Sequence, residues 1–312
     1  MAQAALAHEA LSALRTEIDR LESGNPSPLA IAGRQDGWQS AGANPGDGVI
    51  ASGAAGFDLA LGGGVARAAL NEIRSAATAD NGAASGFALA LCGLALGQVG
   101  GDGSQPRLLW IADPMGTSES GRLYGPGLAR HGVPPSSMLH ARPRHLKDAL
   151  MIAEAALAVN SFAAVILEIY GNPPKFGLTE SRRLNLRAKA HRRPLFLLRE
   201  RGEEEASNAA ARFVVGPAPA APERLPGGRF YPEGMGNPVF HVTIEKSRNP
   251  SPPDFYLEWN ADDRLFHEID RDRIVVPAGH HTEGSVALLS LPRHRPDRAQ
   301  ALGSVLAFPR AS

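Results

Sequence analysis

Residues 3–23 carry Leu11, Leu14, Ile18 and Leu21 at intervals of three and four. That spacing lays an apolar seam along one side of a helix, and Gly24 stops it. Residues 24–48 show no period and gather Gly, Pro, Ser and Asn, so they read as a linker. From residue 49 the pattern becomes short continuous apolar runs separated by helical ones. Runs at 69–73, 107–113, 138–142, 163–169, 194–199 and 211–216 predict strands, and 84–97, 120–132, 145–160 and 178–192 predict helices. Runs without polar alternation suit strands covered on both faces. Their alternation with helices predicts an α/β fold with a mostly parallel central sheet. Residues 216–238, rich in Pro and Gly, read as a loop, and "VFHVTIEKS", "DFYLEWN" and "RLFHEI" beyond it read as antiparallel edge strands. The expected organisation is an amphipathic helix at 1–23, a linker at 24–48, a core at 49–276 and a flexible tail at 277–312. No internal repeat is visible.

Composition narrows the class. With 43% hydrophobic and 21% charged residues the chain can bury a core, which excludes a disordered protein. The single cysteine, Cys92, lies in an apolar helical run. It cannot form an internal disulfide, so a core position in a reduced compartment is expected. The first twenty residues contain acids and no long apolar segment, so neither a signal peptide nor a membrane span is read there. A cytoplasmic location without membrane contact is the expectation. Net charge is zero, so no uniform field draws the molecule onto a polyanion. Between Arg122 and Arg201, however, 14 Lys and Arg face 5 Asp and Glu, which fits a local basic face and solvated helix surfaces equally well.

The most informative stretch is "NEIRSAATADNGAASGFALALCGLAL", residues 71–96: an apolar run, a loop of small residues and a long apolar helix. A phosphate loop has this outline. Its amides and helix amino terminus cradle phosphates, a lysine neutralises their charge, and a hydroxyl holds magnesium. In that frame Ala77 and Gly82 fall on the two glycines, Ala83 on the lysine and Ala84 on the hydroxyl residue, with Ser85 one place too late. Backbone amides remain, but the charge and the metal ligand are gone, so neither ATP nor magnesium is expected as a cofactor.

Two acids stand where chemistry would otherwise be sought. Asp113 follows the "LLWIA" run, where a carboxylate can orient water or cap the next segment, and Glu168 closes the "AAVILE" run, where it can reach a magnesium-bound water or satisfy backbone. Without a lysine they make a poor phosphoryl-transfer site, because that reaction rests on charge neutralisation. His280, His281 and Glu283 have no second ligand cluster, so no metal site is read there. For nucleic acid, Arg182, Lys189 and Arg193 recur at seven and four along "TESRRLNLRAKAHRR", a candidate DNA-contact stripe opposite Leu184, Ala188 and His191. The acidic stretch "ERGEEEASN", with Glu200, Glu203, Glu204 and Glu205, would repel phosphates. In the tail, Arg293, Arg295, Arg298 and Arg310 accompany Leu302, Val305, Leu306 and Phe308, a segment able to fold on a partner or to stay unfolded.

The order of these blocks resembles the RecA family of ATPases across about residues 50–270. "SGAAGFDLALGGGVARAALNEI", with Phe57 and Asp58, resembles the segment leading into that family's phosphate loop. "LLWIADP" stands where the family has its strand near the catalytic acid, and "AAVILEI" resembles its Walker B strand with Glu168 in place of aspartate. "RPLFLLR" and "AARFVV" resemble the next core strands, and Lys246 and Arg248 in "EKSRN" resemble a basic pair inserted into a neighbour's nucleotide site. Within that group the chain resembles the ImuA family, a lysine-less branch, through "LRTEIDRLE", "FDLALGGGVARAALNEI", "GFALAL", "LYGPGLARHG" and "SRN…FYLEWNADDRLF".

That resemblance implies a RecA-like, P-loop-type core and a part in DNA repair, as a non-catalytic adaptor in SOS-induced, error-prone translesion synthesis and mutagenesis. The partners it implies are an ImuB-like relative of Y-family polymerases and an error-prone DnaE-type polymerase, with RecA as a further candidate. Direct DNA contact is expected to be weak, and self-association through the N-terminal helix is open. Two other readings stand beside it: a DNA-stimulated ATPase using backbone amides and a Lys246/Arg248 pair from a neighbour, and a DNA-binding module using the Arg182/Lys189/Arg193 face.

Overall fold

A computed structural model of the chain describes residues 48–98, 106–224, 230–247 and 254–270. The expected N-terminal helix, the linker up to residue 47 and the tail from residue 277 lie outside these residues. In chain order the elements are β1 (Val49–Ile50), α1 (Ala55–Ala60), β2 (Val65–Ala66), β3 (Leu70–Arg74), α2 (Asn81–Gly97), β4 (Arg107–Ile111), α3 (Pro114–Ser120) and α4 (Gly125–Arg130). They continue with β5 (Met138–Ala141), α5 (Leu146–Ala158), β6 (Phe162–Tyr170), α6 (Leu178–Ala190), β7 (Leu195–Glu200) and β8 (Ala211–Ala218). The last are β9 (Pro222–Arg224), β10 (Phe230–Met235), β11 (Val239–Lys246), β12 (Asp254–Asn260) and β13 (Leu265–Glu268).

Among the described residues one sheet of nine strands runs in the order β13-β12-β11-β8-β3-β7-β6-β4-β5. From β8 to β5 every pairing is parallel, while β11, β12 and β13 pair antiparallel at the other edge. This is the α/β class and the mostly parallel sheet with an antiparallel edge that the apolar runs predict. Because successive side chains of a strand point to opposite faces, each run feeds two cores. Leu109, Ile111, Val165, Leu167, Leu195 and Leu197 pack with α5 and α6. Leu108, Trp110, Ile166, Phe196 and Leu198 pack with α2 on the other face, where Phe87 and Cys92 are buried. Burial pushes the Cys92 thiol far above its ordinary pKa, so it is an inert core residue. The stretch Thr78–Gly97 is apolar and long enough to cross a membrane by composition, yet most of it is buried inside the protein.

The segment before β3 is held by local chemistry. The Asp58 carboxylate accepts from the Ser52 amide at 3.0 Å and the Gly53 amide at 3.3 Å, closing the turn in front of α1. Gly64 adopts φ +135°, and a Cβ there would lie 2.5 Å from the Ile50 carbonyl oxygen. Only glycine fits both demands. Phe57 then enters the α2 face beside Phe255 at 5.4 Å and Phe213 at 5.8 Å between ring centroids.

Two expectations are corrected. The helix expected at 120–132 is confined to α4, with Pro126 in its first turn, and an unexpected helix, α3, precedes it across Gly121 at φ +84°. A left-handed glycine ends one helix and a proline starts the next. The loop expected at 216–238 contains the antiparallel pair β9 and β10, which form a separate ladder. Prolines hid it in the sequence, and a two-stranded ladder tolerates them because each strand leaves one edge unpaired.

Candidate functional site: the loop between β3 and α2

The loop between β3 and α2 opens at the carboxyl end of the parallel strands, the end at which α/β sheets bind ligands. Here its donors and acceptors are turned inward. The Ala77 amide donates to Asp80 Oδ2 at 3.2 Å, so a carboxylate of the chain itself takes an amide that a phosphate would need. Asn81, 2% exposed, ties the loop to its surroundings. Ser75 Oγ donates to Asn81 Oδ1 at 2.5 Å and accepts from the Arg201 amide at 2.8 Å. Asn81 Nδ2 donates to Ser120 Oγ at 2.9 Å, and Ser120 Oγ donates to Glu200 Oε2 at 3.1 Å. One chain of hydrogen bonds therefore runs from the loop through the end of α3 to the end of β7.

Of the positions that match the lysine and the hydroxyl residue, the second is core and the first is half-buried beside it. Ala84 is fully buried in the α2-side cluster, and Ala83 packs against that cluster. Gly82 faces open space.

Next to the loop three carboxyl groups converge. Glu168 in β6 is 6% exposed and accepts from Trp110 Nε1 at 2.7 Å. Burial pushes its pKa up to about 8 against the Trp110 hydrogen bond, and the charges of Glu200 and Asp113 push the same way as burial. Glu200 is 2% exposed, and its pKa is raised by burial, opposed by the Ser120 hydroxyl and supported by the charge of Asp113. Two neighbouring buried carboxyls resist ionising together. Asp113 caps α3, accepting from the Met115 amide at 2.8 Å, and its second oxygen takes the Tyr170 amide at 3.3 Å. Gly116 in α3 lies so close that a Cβ there would overlap Glu168 Oε1 and press on Glu200 Oε2. Helix α3 thus plugs the corner beside the loop.

A cavity of about 490 Å³ remains between α2, the end of β4 and the α3–α4 segment, with Trp110, Leu128, His131, Glu168 and Glu200 on its wall. His131 Nδ1 bonds the Gly127 carbonyl oxygen at 2.9 Å, and burial lowers its pKa against that bond. The ring lies parallel to Trp259 at 6.4 Å. Among the described residues no group of three His, Cys, Asp or Glu side chains is placed to hold a metal ion.

The basic residues singled out in the sequence separate. Arg182 and Lys189 are exposed on α6, while Leu184 and Ala188 are buried. Arg193 does not join them. Its guanidinium donates to the Asn160 side chain at 2.8 Å and to the carbonyls of Asn160 and Phe162, closing the turn before β6. Lys246 Nζ donates to the Ser207 carbonyl oxygen of its own chain at 3.1 Å. Arg248, the histidines at 280 and 281, and the tail residues Arg293, Arg295, Leu302, Leu306 and Phe308 lie outside the described residues.

The acidic loop after β7 also differs from a free, repelling segment. Glu200 belongs to the strand. Glu205 reaches Arg199 at 3.2 Å and Asn172 at 2.9 Å, and Glu204 stands 3.5 Å from Arg212. Beneath them Glu72 pairs with Arg199 at 2.9 Å and with Arg212 at 3.5 Å, and Arg199 lies over the Phe176 ring at 5.0 Å. These acids neutralise buried arginines and hold the loop down.

Sequence reasoning passes over Asn81, Asp80, Ser120, Trp110 and the inward turn of Glu200. The signal for the loop was an asparagine and an aspartate among residues that are otherwise small, both able to bond backbone or side chains locally.

No protein-family model matches this chain, and no curated protein matches it. Among solved structures it is similar to the RadB recombinase, at 15% sequence identity and a TM-score of 0.45, over 71% of this chain and 100% of that one.

Proposed function

We propose that the chain is a RecA-like protein that has given up nucleotide chemistry and works as an adaptor, an ImuA-type component of SOS-induced translesion synthesis. The observation that carries the non-catalytic part is the corner beside the loop. Phosphoryl transfer needs cations and a metal where charge develops. This corner offers Glu168, Glu200 and Asp113, an internal carboxylate on the Ala77 amide, a partly buried alanine at 83 and a fully buried one at 84. A triphosphate entering it would meet carboxyl groups where the lysine and the metal ligand of a phosphate loop would stand. The adaptor role and its ImuB-type and DnaE-type partners rest on the ordered sequence motifs.

The test is ATP binding and hydrolysis by the purified full chain with magnesium, with and without single-stranded DNA. The reading expects no binding at millimolar ATP and co-purification with an ImuB-type partner. Hydrolysis stimulated by DNA and abolished by Glu168→Gln would overturn it.

A further inference from the structure

At the outer edge of the sheet, next to β5, a groove of about 280 Å³ is lined by Arg122, His140 and Arg142 over Leu128, Pro135 and Met138. Among the described residues no carboxylate lines it. The chain runs on from Arg142 through Arg144, His145 and Lys147, all exposed. Among the described residues Arg122, Arg142, Arg144 and Lys147 take part in no ion pair, whereas Arg74, Arg183, Arg199 and Arg212 all do. His140 loses affinity for its proton first through burial and then through the charges of Arg142 and Arg122, so those two charges act at one place. In a chain with no net charge, this edge gathers a local excess of cations.

Beside them stands an aromatic ring. Tyr124 is 72% exposed, two residues from Arg122, and lines the cavity that shares Arg122, Leu123, Leu128 and His140 with the groove. An exposed ring next to a cationic track supplies the two elements by which unpaired nucleotides are held, a stacking face for a base and charges for the backbone. A duplex keeps its bases stacked and has no use for the ring. An acidic peptide would answer the charges but not the flat aromatic face. Glu119, Glu168 and Glu200 line the adjoining cavity, so the basic rim, and not the cavity floor, is the part suited to phosphates.

We propose that the surface formed by Arg122, Tyr124, His140, Arg142 and Arg144 binds single-stranded nucleic acid. It is distinct from the α6 stripe and does not rest on the adaptor reading.

Fluorescence anisotropy of a labelled oligothymidylate of about 16 nucleotides, the upper range for one stacking groove, tests this on the full chain from about 50 mM salt upward. Reversal of Arg122, Arg142 and Arg144 to Glu is expected to weaken binding at least tenfold. It should also flatten the slope of log affinity against log salt by about 2, roughly 0.7 for each lost phosphate contact. Tyr124→Ala is expected to weaken binding about tenfold with the slope unchanged. Reversal of Arg182 and Lys189 should change neither quantity. Far-UV circular dichroism of each variant separates lost binding from lost folding, and the milder Arg122→Gln/Arg142→Gln pair gives the same direction if the triple reversal unfolds. Absence of binding at low salt, or binding abolished only through α6, would overturn the proposal. Displacement by a polyglutamate peptide together with indifference to Tyr124→Ala would assign the surface to an acidic protein partner instead.

Discussion

The indole of Trp110 donates to the Glu168 carboxyl at 2.7 Å, joining neighbouring strands β4 and β6 between residues 58 apart in the chain. This bond turns an acid at the carboxyl end of the sheet into part of a buried wall. Its oxygen faces helix α3 at Gly116, and Glu200 and Asp113 add their charges nearby.

That wall should make stability depend on pH. Because the folded-state pKa of Glu168 is raised from its ordinary value to about 8, the folded protein binds this proton more tightly than the unfolded chain. The contribution to stability is fully present below the unfolded value and is lost as pH rises through about 8. Glu168→Gln removes the titration and keeps an acceptor for Trp110. It should leave the urea midpoint near unchanged at acidic pH and raise stability by about 2–4 kcal/mol at alkaline pH. Equal effects at both ends of the range would show that the carboxyl is ionised in the fold.

A second prediction concerns Glu72. It is 1% exposed and meets both Arg199 and Arg212, so its removal leaves two buried guanidinium groups with only the loop acids Glu204 and Glu205 to answer them. Breaking a buried pair from one side costs about 3–5 kcal/mol. Glu72→Ala should lose that much in urea unfolding. It should also open the segment 201–210 to limited proteolysis before the rest of the chain, since Arg199 and Arg212 anchor it.

A third concerns the empty loop. Restoring the missing groups by Ala83→Lys with Ala84→Thr should not create ATP binding at millimolar concentrations. Residue 84 is buried, so its new hydroxyl cannot reach solvent, and Asp80 continues to occupy the Ala77 amide. The same change should destabilise the protein by about 1–3 kcal/mol through overpacking. Isothermal titration with ATP and magnesium, alongside a denaturant titration, reads both outcomes. Tight binding by the double variant would mean that the two alanines alone keep nucleotide out.

Much of this protein is written locally. Alternating side-chain direction along a strand and the 3.6-residue turn of a helix leave their periods in the sequence, so the strands of the main sheet, the longer helices between them and the missing lysine and hydroxyl are legible without coordinates. Glycines and prolines mark breaks but leave open which element lies beyond each break. For that reason the short helix α3 before Gly121 and the ladder at 222–235 escape a reading of the sequence.

What the tertiary structure alone decided is which distant groups meet. Register between β6 and β7 sets Tyr170 opposite Glu200 and so carries Glu200 out of its acidic neighbourhood in the sequence and into the corner with Glu168. The turn before β6 draws Arg193 away from the stripe it shares with Arg182 and Lys189. Arg122 and Arg142 come together because one lies in the break between two helices and the other follows an edge strand. Parallel strands are joined by long crossovers, and nothing in the local period of either strand records the register that such a crossover imposes.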